Sequence, residues 1–373
     1  MNNPVYQHYI PRSYLKNFGI SKKKVFIVDT IMRGEDEEIK ELPTQAICAE
    51  KNIYTFDTTK EGDPYALEKF YAKEVDSIYP KVYDRLVNSE VMHITPDVKR
   101  EILNTVLSLK FRRPEALQST IRDLEAMFAR FYAHPSPEDS TITYSFRGKK
   151  GSFLSGDIEK ELEKLRRELK EDWLIKHFGQ WQEFVEYKMA CGLDVIEVPE
   201  DIPIITSDNP VSIFGLTRKL NTENPFHPEN MLEVPLDRRH YLVIHPNATS
   251  DTGYHRIHRS KRDKYFAAGV NHKTAENSDR RLIAYPGDLK THFTSQDEIN
   301  LGKPEDVRAF MDNFKDLEQA LELQKIIAEN GGSIFNQQVA DKVREMRKAK
   351  VMDEDPLFKD IILELAKKGF LTI

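Results

Sequence analysis

The chain has 373 residues, 39% hydrophobic, 10% aromatic and 31% charged, with a formal net charge of −6. That balance excludes global disorder and any general attraction to polyanions, and the length fits one large domain or two smaller ones sharing a core. The two cysteines, Cys48 and Cys191, match no metal or redox spacing, which excludes a disulfide-built secreted fold.

The opening stretch lacks a basic start followed by an apolar run, and no segment approaches the ~20 apolar residues of a membrane span. A cytoplasmic protein without membrane contact is expected. Short extended pieces fill residues 1–60, with strands expected at 24–28 and 53–56. A helix is expected from Pro64 to Val87, bent or broken at Pro80, and further helices over about 96–111 and 115–132. Residues 134–153 read as a loop with one strand, 141–146. Ser155 is placed to cap a long helix with the stripe Ile158, Leu162, Leu165 and Leu169.

The pattern turns to strands near residue 194, with runs at 194–199, 202–206, 241–244 and 282–285. After Pro304 it turns helical again. Val307, Phe310, Phe314, Leu317 and Leu321 form an apolar stripe that needs a partner, either the body of the protein or a second copy, and two more helices cover about 335–350 and 356–369. Helices and strands are grouped rather than alternated. The fold class expected is therefore α+β, with helical middle and C-terminal segments around a mixed β-sheet. The strands of 1–60 are too few to bury a face alone and should join those of 194–290.

Four segments concentrate polar and aromatic groups at element edges. His8 precedes a short helix that Tyr14, Leu15 and Phe18 would anchor, with Arg12 on the way. Glu68 and Glu74 lie on the first long helix. Arg112 and Arg113 sit at a helix end, where they suit either the helix dipole or an anion. Ser207, Asp208 and Asn209 follow a strand, a place where a scaffold presents functional groups and where such residues also make local turns. Arg256, Arg259, Lys261, Arg262 and Lys264 form a basic run, opposed only by Asp263, that could track a phosphate backbone or simply be solvated. The histidines complete no zinc spacing. Gly-rich phosphate loops, GxSxG and HExxH are absent.

Taken together, the segments resemble domain-of-unknown-function family 4238. The similarity rests on His8-Tyr9-Ile10-Pro11 with Tyr14-Leu15 and Phe18, on 48–54, on Glu68 and Glu74, and on Arg112 and Pro114. It continues in Thr206-Ser207-Asp208-Asn209-Pro210-Val211 and in Pro235-Leu236 with 241–244. The family often carries Gln three residues before the arginine of Arg-x-Pro, where this chain has Leu109. The resemblance covers about 1–290, a family-like α+β domain, and leaves 304–373 as a helical extension. It implies no activity.

Two functions remain open. In the first, the protein is a phosphoester-directed, nuclease-like hydrolase. His8 is then the general acid or base, and Asp208 with Glu68 or Glu74 holds a divalent ion or orients water. Arg112, Asn209, Arg12 and Ser207 bind the substrate. His8, Arg112, Asp208 and Asn209 should then line one concavity. In the second, the protein is a non-catalytic binding or scaffold protein. The basic run would meet nucleic acid, and the C-terminal helices would support a homo-oligomer.

Overall fold

A computed structural model describes residues 5–34, 38–57, 62–215, 226–227, 230–246, 256–299, 303–313, 315–351 and 356–372. The N-terminal part contains β1 (Tyr6–His8), α1 (Arg12–Leu15), β2 (Ile20–Lys22), β3 (Val25–Met32), β4 (Lys40–Pro43) and β5 (Ala49–Lys51). A helical block follows: α2 (Ala66–Tyr71), a π-helical turn (Ala72–Asp76), α3 (Tyr79–Val87), α4 (Pro96–Phe111) and α5 (Glu115–Ala133). The hairpin β6 (Thr141–Phe146) and β7 (Lys149–Leu154) leads into α6 (Ile158–Lys188).

The second half holds β8 (Leu193–Glu197), β9 (Thr206–Ser207), β10 (Ser212–Gly215), β11 (Asn230–Pro235), β12 (His240–Ile244) and β13 (Ile257–Lys261). Then come α7 (Lys264–Asn277), β14 (Arg281–Ala284) and α8 (Asp288–Glu298). The tail is α9 (Pro304–Asp312), α10 (Lys315–Glu329), α11 (Gln337–Lys348) and α12 (Pro356–Lys367). This is an α+β fold.

One five-stranded sheet runs β10-β11-β12-β8-β13, antiparallel except for the parallel β8–β13 pair. Its alternation sorts the core. Leu193, Val195, Leu232, Val234, Leu242 and Ile244 face the main helical cluster, while Ile196, Met231, Tyr241 and Val243 face α7. In the second sheet β3 pairs with β2, β4 and β14, and β14 pairs with β9. Thus β2, β3 and β4 join β9 and β14 of the second half, whereas β1 and β5 pair only with each other, and residues 53–56, expected as a strand, form a turn and irregular chain.

Several local readings change. The 64–87 helix is two helices joined by a wide turn, and Pro80 is tolerated because it falls in the first turn of α3, where its missing N–H costs nothing. Ser155 does not cap α6. Its hydroxyl donates to the Ser136 carbonyl, and α6 starts after Asp157. Residues 149–154 pair with 141–146 through a turn at Arg147 and Gly148, both with positive φ, the geometry that lets a two-residue loop follow strand twist. Ile202–Ile205 are buried but join no ladder. Pro203 has no N–H to give, and the Ile205 N–H goes to the Asn271 side chain. Neither cysteine is in a disulfide and both are buried, and no helix among the described residues is long and apolar enough to cross a membrane.

The tail attaches through α9. Phe310 is buried with Phe266, Val270 and Ile299, and its ring lies over Gly269 of α7, where a Cβ would run into it. Beyond α9 the helices keep a core of their own, built on Leu323, Val339, Val343, Met346, Phe358 and Leu365. Phe314 and the side chains of Leu317 and Leu321 lie outside the described residues.

Phe310→Ala should cost ~3–5 kcal/mol as a buried aromatic truncation, and Gly269→Ala ~1–3 kcal/mol by overpacking. The double variant should cost clearly less than the sum, because the new methyl enters space the ring has left. Urea unfolding of the three variants measures this. Strict additivity would show that ring and glycine are not in contact.

Candidate functional site

The site grows from the β1–β5 ribbon. His8 pairs with Ala49, and the Tyr9 N–H donates to the Cys48 carbonyl at 2.9 Å. Cys48 and Asn52, which bracket β5, both hold left-handed φ values of 53° and 52°. Such backbone is strained for residues with a Cβ and persists only where packing over-determines it. Pro11 then fixes the entry to α1, whose Tyr14 and Leu15 are fully buried.

Arg112 holds this ribbon to the helical block. Only 1% exposed, it donates from Nη2 to the His8 carbonyl at 2.6 Å and from Nη1 to Asp76 Oδ1 at 2.6 Å. Its guanidinium lies 4.3 Å from the Tyr71 ring centroid, and the Tyr54 hydroxyl donates to the Arg112 carbonyl at 2.5 Å. Tyr71 in turn bonds His177 Nε2 at 2.7 Å, while His177 Nδ1 meets the Trp173 carbonyl at 2.8 Å. A nearly dry guanidinium is tolerable here because each of its nitrogens has an acceptor and its plane lies against Tyr71.

Around that anchor two ionisable side chains keep a buried polar atom without a partner: His8 through Nε2 and Glu68 through Oε2. Burial, then Arg12 and Arg112, push the His8 ring below its usual range, against the pull of a backbone bond at Thr44 and of Asp76. Its uncharged form is therefore favoured near neutral pH. Burial pushes the Glu68 carboxyl up to about 7, with Arg112 opposing and Asp76 adding to the rise. The His8 imidazole and the Glu68 carboxyl thus both feel the charges of Arg112 and Asp76. Arg12 is exposed, pairs with no described residue, and acts on His8 through its charge.

The other expected residues make other contacts. Glu74 points to solvent and pairs with Lys73 at 2.7 Å. The π-helical turn explains why. Asp76 follows Glu68 by eight residues, which puts it about 80° around a regular helix. The wide turn absorbs one residue and brings Asp76 back to within about 20° of Glu68. The same correction leaves Glu74 about 140° away. Asp76 was missed by sequence reasoning, as were Tyr54 and Tyr71. The local signal for Asp76 exists only once the turn is known.

Asp208, Asn209 and Ser207 form a second polar group around Asp279. The Asp208 carboxylate accepts the N–H groups of Asp279, Arg280 and Arg281 at 3.0, 2.9 and 3.1 Å. Burial and the Asp279 charge nevertheless push its carboxyl up to about 6, against those three bonds. Ser207 Oγ accepts the Asn209 N–H at 3.1 Å, and Asn209 Nδ2 donates to the Asn277 carbonyl at 2.7 Å. Arg113 pairs with Asp279 at 2.5 Å. No hydrogen bond or ion pair among the described residues joins this group to His8, Glu68 or Arg112. The Asp208 charge does reach Tyr9 and Cys48 of the β1–β5 ribbon. Leu109, in the family's glutamine place, is fully buried in the main core.

The basic run is not a free stripe. The Arg259 guanidinium donates to the carbonyls of Arg85, Leu86, Asn88 and Val91, which end α3 and the turn after it. Arg262 pairs with Asp316 at 2.8 Å and Lys261 with Glu197 at 3.1 Å. Among the described residues no group of three or more His, Cys, Asp or Glu side chains is arranged to hold a metal ion.

The family model described as protein of unknown function (DUF4238) matches residues 6–288, and the chain belongs to that family. No curated protein and no solved structure matches it.

Arg112→Ala would strand Asp76 and the His8 carbonyl, and should cost ~3–5 kcal/mol in denaturant unfolding, as breaking a buried ion pair does. Glu68 carries a pH signature. Its folded-state pKa of about 7 exceeds the reference 4.5, so between those values the folded state binds more protons than the unfolded one. Its contribution to stability is full below about pH 4.5 and is lost as pH rises through about 7. Glu68→Gln should remove that slope, so the melting temperature of the wild type relative to the variant should fall across the window. A constant difference would show that Glu68 ionises normally.

Proposed function

We propose that the protein is a phosphoester-directed hydrolase whose acid–base machinery is His8 and Glu68. The observation that carries this reading is the pair of partnerless buried atoms, His8 Nε2 and Glu68 Oε2, grouped around the Arg112–Asp76 ion pair. Neutral His8 takes the proton of an attacking water, and protonated Glu68 supplies one to the leaving oxygen. Arg12 offers the substrate anion its charge. Arg112 acts through His8 and Asp76 as a positioning residue. No step is routed through a metal ion, because the described residues offer no ligand trio. Contact with a nucleic-acid strand falls to Arg256 and Lys264, since Arg259, Lys261 and Arg262 are already paired. Self-association through the C-terminal helices would cover Phe335 and Leu363, which are 41% and 47% exposed.

A second reading, a non-catalytic binding protein, is favoured by Asp208. A carboxylate bonded to three successive backbone N–H groups is doing a structural task.

The two readings separate experimentally. His8→Ala and Glu68→Gln should each lower phosphoesterase turnover by ~10²–10⁴-fold with the fold intact. Asp208→Ala should instead lower the melting temperature, because each stranded N–H costs ~1–3 kcal/mol. Assays with EDTA, Mg²⁺ and Mn²⁺ on nucleic-acid and small ester substrates are the measurement. Wild-type inactivity in every condition would retire the hydrolase in favour of the binding protein.

A further inference from the structure

The hairpin of β6 and β7 is a sheet of two strands, with no third strand on either side among the described residues. Its tight turn at Arg147 and Gly148 makes Phe146 and Lys149 a bonded pair. At the other end the Ser155 N–H donates to the Ser140 carbonyl at 2.9 Å. Antiparallel alternation between these ends turns the N–H and C=O of Thr141, Thr143 and Ser145 outward from β6, and those of Lys150, Ser152 and Leu154 outward from β7. No described residue bonds these outward groups, and the side chains that flank them are all exposed.

The two edges differ in what they admit. Lys149 and Lys150 on β7 are the kind of residue with which proteins blunt an open edge, and Gly151 weakens the strand further. β6 reads TITYSF, with no charge, no proline and no glycine, and all of it but Ser145 favours strands.

We propose that β6 is a self-pairing edge: two copies of this chain join β6 to β6, antiparallel about a two-fold axis at Thr143, in a continuous sheet ordered β7-β6-β6-β7. The sequence complements itself in that register. On the packed face Ile142 stands opposite Tyr144 of the second copy, and Tyr144 opposite its Ile142, an aromatic–β-branched pair made on both sides of the axis. On the outer face Thr143 meets Thr143 and Thr141 meets Ser145, pairs whose hydroxyls can bond. The outward backbone groups exchange about six hydrogen bonds across the axis. Asp139 is exposed and has no ion-pair partner among the described residues. It comes level with Arg147 of the second copy, whose described ion pair is the exposed one with Asp123 at 3.3 Å. Opposite charges therefore face each other at both ends of the joint. The axis closes the assembly at two copies, whereas β6 on β7 would leave a free edge each time and propagate.

The test is analytical ultracentrifugation of the full chain over about 1–100 μM, where a monomer–dimer equilibrium is expected. Thr143→Lys sets two ammonium groups opposite one another on an exposed position. It should weaken the dimer about tenfold or more with the circular dichroism unchanged. Ser152→Lys, the same change on β7, should leave the equilibrium where it is. A second probe needs no loss of assembly. Thr143→Cys should be linked to its counterpart by mild oxidation or a short bis-maleimide, since Cys48 and Cys191 are buried, while Ser152→Cys should stay unlinked. A monomer at every concentration would overturn the proposal and leave the edge to a strand from another protein. A dimer that Thr143→Lys leaves intact would also overturn it, placing the joint elsewhere, as on the C-terminal helices. So would linkage of the Ser152→Cys variant in place of the Thr143→Cys variant.

Discussion

A single buried guanidinium fixes where everything else can be. Arg112 sits at the end of α4, yet its donors reach the first strand and the π-helical turn, and its plane lies against Tyr71. Water would ordinarily compete for each of those bonds. With 1% of the residue exposed it cannot, so each bond persists and the three segments share one frame. His8 and Glu68 inherit their surroundings from that frame. The acid–base character of the site is therefore a property of packing before it is a property of either residue.

The family's motifs describe the same principle at larger scale. The Tyr14 hydroxyl bonds Thr206 Oγ1 at 2.5 Å and donates to the Pro235 carbonyl at 3.0 Å, so one phenol from the first block clamps two later ones. Asp208 binds the backbone that opens β14, and the Asn17 amide donates to the Leu236 carbonyl at 3.3 Å. Much of what makes the blocks recognisable is long-range hydrogen bonding between chain segments about 200 residues apart, buried where an unmet partner is costly. Only the first block and the acidic helix also supply the candidate chemistry.

The helices α4 and α5 were legible because Pro96 and Pro114 mark their starts and apolar spacing marks their faces. Other elements were hidden for identifiable reasons. β11 is buried on both sides, so it lacks alternation, and its Glu233 is fully buried only because Lys273 of α7 pairs with it. α7 begins inside a basic run and contains Gly269, which together read as loop. Its Asp263 cap, bonded to the N–H groups of Tyr265 and Phe266, was the available signal. Within the site, His8, Arg12, Arg112 and Glu68 were visible as polar groups at element edges. Asp208 was visible too, but its partners lie some seventy residues onward, and a local turn and a long-range clamp look alike in one dimension.

The π-helical turn at Ala72–Asp76 gives the site an unusual genetic vulnerability. Register there is encoded by chain length rather than by the identity of any residue. Gaining one residue between Ala72 and Val75 would turn everything downstream by about 100° relative to α2 and carry the aspartate away from the guanidinium it neutralises, whereas losing one would restore an ordinary helix with the aspartate still within about 20° of Glu68. Composition, charge and hydrophobic content would barely change. In this stretch an insertion is a more severe lesion than most substitutions or than the loss of one residue, and a comparison of relatives scored by residue identity alone would overlook it.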